Sequence, residues 1–181
     1  DYVNILGKKD LSFDSVTRLS LVKEKWKWSL AVSLITNVEE LRAVIGKEIP
    51  GLGEKNIDKL DSFAIEYIEK SPFHILATSD VSGRCDASPK GDEPGFVQVL
   101  DEKTIVIPDR PGNKLAYGHL NILENPRVGI LFLIPGTSET LRINGKAELD
   151  SSQDLLDHLA ARGKPAVLAI RVVIEECFFH C

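Results

Sequence analysis

The sequence predicts a mainly β domain of the α+β class, a small antiparallel barrel with peripheral helices. Three observations carry that prediction. Beyond residue 72, short apolar or β-branched runs follow one another with turn signals between them. They come in hairpin order, not in the regular strand–helix alternation of a doubly wound sheet. About six strands in that order expose edges, and closure into a barrel removes them.

Residues 1–35 have no clear period and read as a poorly specified N-terminal extension, with a short helix around Val22–Ile35. The basic run Lys23–Trp28 and the apolar run after it imitate an export signal. They lie too far from the start, and the apolar part is too short. Residues 36–181 form the domain. Thr36-Asn37-Val38-Glu39 matches a capping box, which predicts a helix through Leu41, Val44 and Ile45 that stops at Gly46. Ile57, Leu60, Ala64, Tyr67 and Ile68 recur at helical spacing and predict an amphipathic helix over 55–70, ended by Ser71-Pro72.

Strands follow. Phe73–Ser79 and Arg84–Ser88 flank a turn, and so do Gly95–Leu100 and Thr104–Ile107. Residues 114–124 read as a helix stopped by Asn125-Pro126. Val128–Ile134 is apolar without alternation, which predicts cover on both faces. Thr140–Leu149 is the next strand, Ser151-Ser152-Gln153-Asp154 starts a helix to about Ala161, and Val167–Phe178 is the last strand.

The chain has 181 residues, 43% of them hydrophobic, enough for one domain with a core. Its formal net charge of −5 exerts no global pull toward nucleic acid or anionic lipid, so cationic function must be local. No apolar run approaches the roughly 18 residues of a membrane span. Cys85, Cys177 and Cys181 are too few for a disulfide framework, and a reducing cytoplasm is the simpler setting. Cys177, His180 and Cys181 are metal-compatible types, but no second cluster supplies further ligands, so no metal site is expected.

Two stiff, cation-bearing turns stand out. Pro108-Asp109-Arg110-Pro111-Gly112-Asn113-Lys114 leaves a strand and enters a helix. Its prolines fix φ, Gly112 admits close backbone approach, and Asn113 is a good N-cap. Arg110 and Lys114 add charge where helix N–H groups favour an anion. Ser88-Pro89-Lys90-Gly91 offers a hydroxyl, a fixed bend and a cation at a strand end. Each segment alone also reads as a surface loop with solvated cations. Neighbouring hairpins can bring the two to one pocket. In Glu139–Gly145, alternation sends Thr140 and Arg142 to one face, which either lines that pocket or faces solvent. His74 and His119 read as packing or surface residues. No hydrolase elbow, zinc-protease, Walker or dinucleotide fingerprint occurs.

From about Val38 onward the chain resembles the pyridoxamine 5′-phosphate oxidase-related flavoproteins, which have an FMN-binding split barrel. The likeness rests on several motifs in order: Ser71-Pro72-Phe73, Gly83–Asp92, Pro94–Val97, Ile107–Asn113, Asn121–Pro126 and Glu139–Arg142. It implies a six-stranded antiparallel Greek-key split β-barrel that forms a homodimer, with FMN in a cleft between subunits. It also implies that Asp86, Ala87, Ser88, Pro89 and Lys90 run along the flavin, with Lys90 or Arg84 near its pyrimidine edge. Arg110, Asn113 and Lys114 would sit near the phosphate, with Ile107, Pro108 and Arg142 also on the cofactor's side. Thr140 takes the place of a glutamine that touches the flavin in the oxidase proper. The oxidase's C-terminal Trp and Arg have no visible counterpart, so pyridoxamine phosphate is not the expected substrate. The implied activity is transfer of a hydride or two electrons between FMN and a small molecule. A flavin-storage protein and a haem-binding or haem-degrading barrel stay open as alternatives.

Overall fold

A computed structural model of the chain describes residues 33–180. The helix expected around Val22–Ile35 falls almost entirely outside them. The chain divides between Glu48 and Ile49 into two units. In the first, helix α1 spans Val38–Ile45. Its cap is Asn37, one residue later than expected: Asn37 Oδ1 accepts from Glu40 N (2.9 Å) while Glu40 Oε2 accepts from Thr36 N (2.8 Å). Thr36 and Asn37 can both cap and each has a glutamate three residues on; here Glu40 closes back on Thr36 N while its own N–H is taken by Asn37, so Asn37 holds the cap.

In the second unit, helix α2 covers Ser62–Lys70, later than the periodicity predicts. Asp61 starts it by accepting from Ala64 N at 2.8 Å. Ile57 is not helical. Its backbone pairs with Cys177 in both directions (3.0 and 2.7 Å), and that pairing outcompetes an extra helical turn.

Seven strands follow, matching the seven runs read from the sequence and one more than the six-stranded barrel expected: β1 Phe73–Ser79, β2 Cys85–Gly91, β3 Gln98–Asp101, β4 Thr104–Asp109, β5 Arg127–Leu133, β6 Thr140–Asp150 and β7 Leu168–His180. They form one antiparallel sheet in the order β2-β1-β5-β6-β7-β4-β3. The two expected hairpins, β1–β2 and β3–β4, are present. Helix α3 (Tyr117–Glu124) sits between β4 and β5, and α4 (Gln153–His158) between β6 and β7.

The sheet curls around a core in which Leu76, Ile107, Ile130, Phe132, Leu141, Ile143 and Ile170 are fully buried. Burying a side chain of this kind stabilises the fold by about 1.5–3 kcal/mol. Register also defines the other face. Pro89, Ile75, Leu131, Arg142 and Phe178 are consecutive cross-strand partners on β2, β1, β5, β6 and β7. None of them is buried. In β5 this corrects the expectation of two covered faces: Val128, Ile130 and Phe132 are buried, whereas Leu131 and Leu133 are half-buried.

Candidate functional site

The curl of the sheet creates the site. β2 and β4 are five strand steps apart in the sheet, roughly 24 Å if it were flat. Yet Lys90 of β2 meets Asp109 of β4 at 2.8 Å between Nζ and Oδ1. This ion pair spans the split between two strands with no backbone pairing. Beside it lies a cavity of about 610 Å³. Its walls are Asp86–Lys90 of β2, Asp109 and the loop that follows, the first turn of α3, and the apolar side chains of Leu76, Val167 and Ile170.

Helix α3 is pinned against β1 by two asparagines. Asn121 Nδ2 donates to Thr78 Oγ1 and Asn125 Nδ2 to Ser79 Oγ, both at 3.0 Å. This aims the helix start at the cavity. Asn113 is not its cap, contrary to expectation. Its Oδ1 accepts from Leu115 N at 3.0 Å in a local turn, and the helix begins four residues after Asn113. Lys114 and Ala116 take left-handed conformations in between, with φ of 62° and 55°. Each costs a residue with a side chain about 1 kcal/mol. Since Ala116 contributes no capping side chain, the first-turn N–H groups are left facing the cavity.

Of the residues singled out in the sequence, Asp86, Ala87, Ser88, Pro89, Lys90, Arg110, Asn113 and Lys114 line this cavity. The others do not. Arg84 lies on the β1–β2 turn, where its Nε donates to Asp80 Oδ2 at 2.6 Å. Ser82 first, and then Arg84, hold the Asp80 carboxyl down at about 2 against the desolvation that opposes them. Ile107 and Pro108 are buried in the core. Thr140 and Arg142 lie on the other face of the sheet, with Arg142 stacked 5.1 Å over the Phe178 ring. Arg142 is three strand steps from Pro89, roughly 14 Å along the sheet.

The cations are not equivalent. Arg110 donates through Nε to Asp92 Oδ2 (3.0 Å) and through Nη1 to the Leu159 carbonyl (2.7 Å), so much of its guanidinium braces the chain after α4. Lys90 is matched by Asp109. Lys114 has no ion-pair partner among the described residues. Residue types and spacing also passed over two cavity residues. Asp109 stands between Lys90 and His119, whose Nε2 lies 3.5 Å from the same oxygen. Burial alone would raise the Asp109 carboxyl. His119 beside it, at a distance too long for a full hydrogen bond, together with the hydrogen bond and charge of Lys90, outweighs it and holds the carboxyl at about 2. No local motif could have revealed a contact made across the split. Among the described residues, no three His, Cys, Asp or Glu side chains are placed to hold a metal ion, and no helix is long and apolar enough to cross a membrane.

The family model described as pyridoxamine 5′-phosphate oxidase matches residues 61–181. Among solved structures, a Lactobacillus delbrueckii protein provisionally named a pyridoxamine 5′-phosphate oxidase is 21% identical, with 67% of this chain and 95% of that one covered and a TM-score of 0.55. HupZ of Group A Streptococcus is 18% identical over 66% of this chain and 93% of its own, with a TM-score of 0.54. General Stress Protein 26 of Bacillus anthracis is 11% identical over 64% and 89%, with a TM-score of 0.50. At these identities the likeness is one of fold, the split barrel. No curated protein matches the chain.

Proposed function

The chain belongs to the pyridoxamine 5′-phosphate oxidase family, and from that premise we propose that the cavity between β2, β4 and α3 holds FMN and that the protein is an FMN-dependent oxidoreductase acting on a small molecule. One observation carries the reading: a single cavity combines an unpaired cation and a helix start with an apolar wall. Lys114 and the first-turn N–H groups of α3 suit a phosphate. Leu76, Val167 and Ile170 suit a flat aromatic ring system, and Asp86 and Ser88 offer polar groups between the two ends. The volume falls within the roughly 300–1,000 Å³ of small-molecule sites. Bound there, FMN would supply hydride or two-electron transfer. The protein's part is to hold the phosphate, exclude water with its apolar wall and keep Lys90 in place through Asp109.

The same proposal includes a twofold homodimer. The half-buried outer face around Ile75, Leu131 and Leu133 needs cover, and α3 exposes Tyr117, Leu120 and Leu123 beside the cavity mouth. In such a dimer Thr140 and Arg142 of one protomer approach the cavity of its partner, which their own cavity's distance does not allow.

The test is direct. Purified protein mixed with FMN should turn yellow, and Lys114→Ala should weaken binding about tenfold, close to 1.4 kcal/mol. A protein that is colourless once excess FMN has been removed by gel filtration would refute the flavin reading. A yellow protein that neither NADH nor NADPH bleaches under anaerobic conditions would favour storage over turnover.

A further inference from the structure

The charges around the cavity do not balance those of a phosphate ester. Of its three cations, Lys90 is matched by Asp109 and Arg110 by Asp92, which leaves Lys114. A phosphate monoester carries about −1.5 to −2 charges at pH 7. Asp86, whose side chain has no hydrogen bond or ion pair among the described residues, adds a further negative charge to the wall.

Among the described residues, His119 is the one cavity-lining side chain whose charge ordinarily changes near neutral pH. It stands in the first turn of α3, with its ring 18% exposed and Nε2 against Asp109 Oδ1 at 3.5 Å. Nε2 is closed off from solvent, so Nδ1 is the nitrogen left toward the cavity. The charged groups around it are Asp86 and Lys90 from β2, Asp109 from β4, and Arg110 and Lys114 from the loop. β1 contributes Thr78 and the buried His74, and the buried positions of β6 are Leu141, Ile143, Gly145 and Ala147. Lys90, Lys114 and the helix start oppose an added positive charge on the ring. Asp109 favours it. A docked anion adds to Asp109 in favouring it.

We propose that the cavity takes up its anionic ligand together with a proton, and that His119, held by Asp109, is the residue that receives it. The proton comes from solvent and binds the free ring nitrogen. The imidazolium then adds its charge to that of Lys114, the one unmatched cation that the same protomer supplies. This rests on the reading of the cavity as a phosphate-ester site, and it makes His119 and Asp109 members of that site.

Calorimetry of FMN binding to the full chain at pH 7.5, in phosphate-free buffers of different ionisation enthalpy, measures the protons taken up. Wild type should take up a fraction of a proton more than His119→Gln. The ligand phosphate, with a second pKa of about 6, contributes equally to both. Wild-type affinity should fall as pH rises from 6 to 9. His119→Gln should bind about 3- to 5-fold more weakly at pH 6 and equally at pH 9, the range for a partly exposed charge pair. Riboflavin, without the phosphate, should show no difference in uptake. If the variant does not fold, the ring ¹⁵N shifts of His119 in wild type decide, since they should move toward imidazolium when FMN saturates. Equal uptake by the two proteins, or unmoved ¹⁵N shifts, would overturn the proposal while leaving the flavin reading intact. Absence of saturable heat in every buffer would instead remove that reading, and this inference with it.

Discussion

The two faces of the sheet are made from the same strands but follow different rules. On β5, Ile130 and Phe132 are fully buried, whereas Leu131 and Leu133, which alternate with them, are half-buried. The inner face carries the stability of the barrel, and even its polar member obeys that constraint. His74, fully buried on β1, stacks on Phe96 at 5.4 Å and meets Phe132 at 5.2 Å, and neither ring nitrogen has a partner among the described residues. Burial, and then the charge of Lys90, push it down to about 3. The outer face is apolar at its centre yet leaves Arg142 and Thr140 in reach of another molecule. Folding is decided on one face, and association is open to the other.

The contrast can be broken most forcefully at β5. Phe132→Ala should cost about 3–5 kcal/mol in denaturant unfolding, from lost burial plus the cavity left behind. If it costs under 1 kcal/mol, Phe132 is not a core residue and the assignment of faces fails. Acid gives the next largest effect. His74 is neutral in the fold and protonates when unfolded, so its contribution is complete above about pH 6.5 and is lost as pH falls toward 3. Stability should drop by about 1.4 kcal/mol per pH unit between roughly 6 and 4. The carboxyls of Asp80 and Asp109, held at about 2, lose their share only below their usual value near 3.8, which separates the two windows.

His74→Leu sharpens the same point. It removes two unpartnered buried nitrogens at nearly constant volume, so it should stabilise the fold by about 1 kcal/mol and flatten the slope between pH 6 and 4. A destabilised variant, or an unchanged slope, would show that the ring makes a contact on which the fold depends. The smallest effect on folding belongs to the outer face. Leu131→Ser should change the stability of a dilute sample by less than about 0.5 kcal/mol. It should nevertheless raise the protein concentration at which light scattering detects a dimer. Equal dimerisation of the two proteins would place any interface elsewhere.

Much of this was legible beforehand where the signal is local. Apolar and β-branched runs placed the strands within two or three residues, and proline and glycine marked the turns between them. Errors arose where two local options were nearly equal. Thr36 and Asn37 both cap, and the longer-range pairing of Ile57 with Cys177 decided against an early start to α2. The left-handed turns at Lys114 and Ala116 delayed α3 because Asn113 bonded to Leu115 instead of opening the helix.

The sequence by itself determined where most strands run, where the chain bends, and that two rigid cationic turns exist, because each depends on neighbours a few positions away. Only the tertiary structure decided what those cations do. Lys90 and Asp109 are 19 positions apart and become partners when the sheet curls. Arg110 is diverted to Asp92 and Leu159, and His119 is drawn to Asp109. Coulomb interactions and hydrogen bonds act over a few ångströms of space, and the fold alone says which charges come that close.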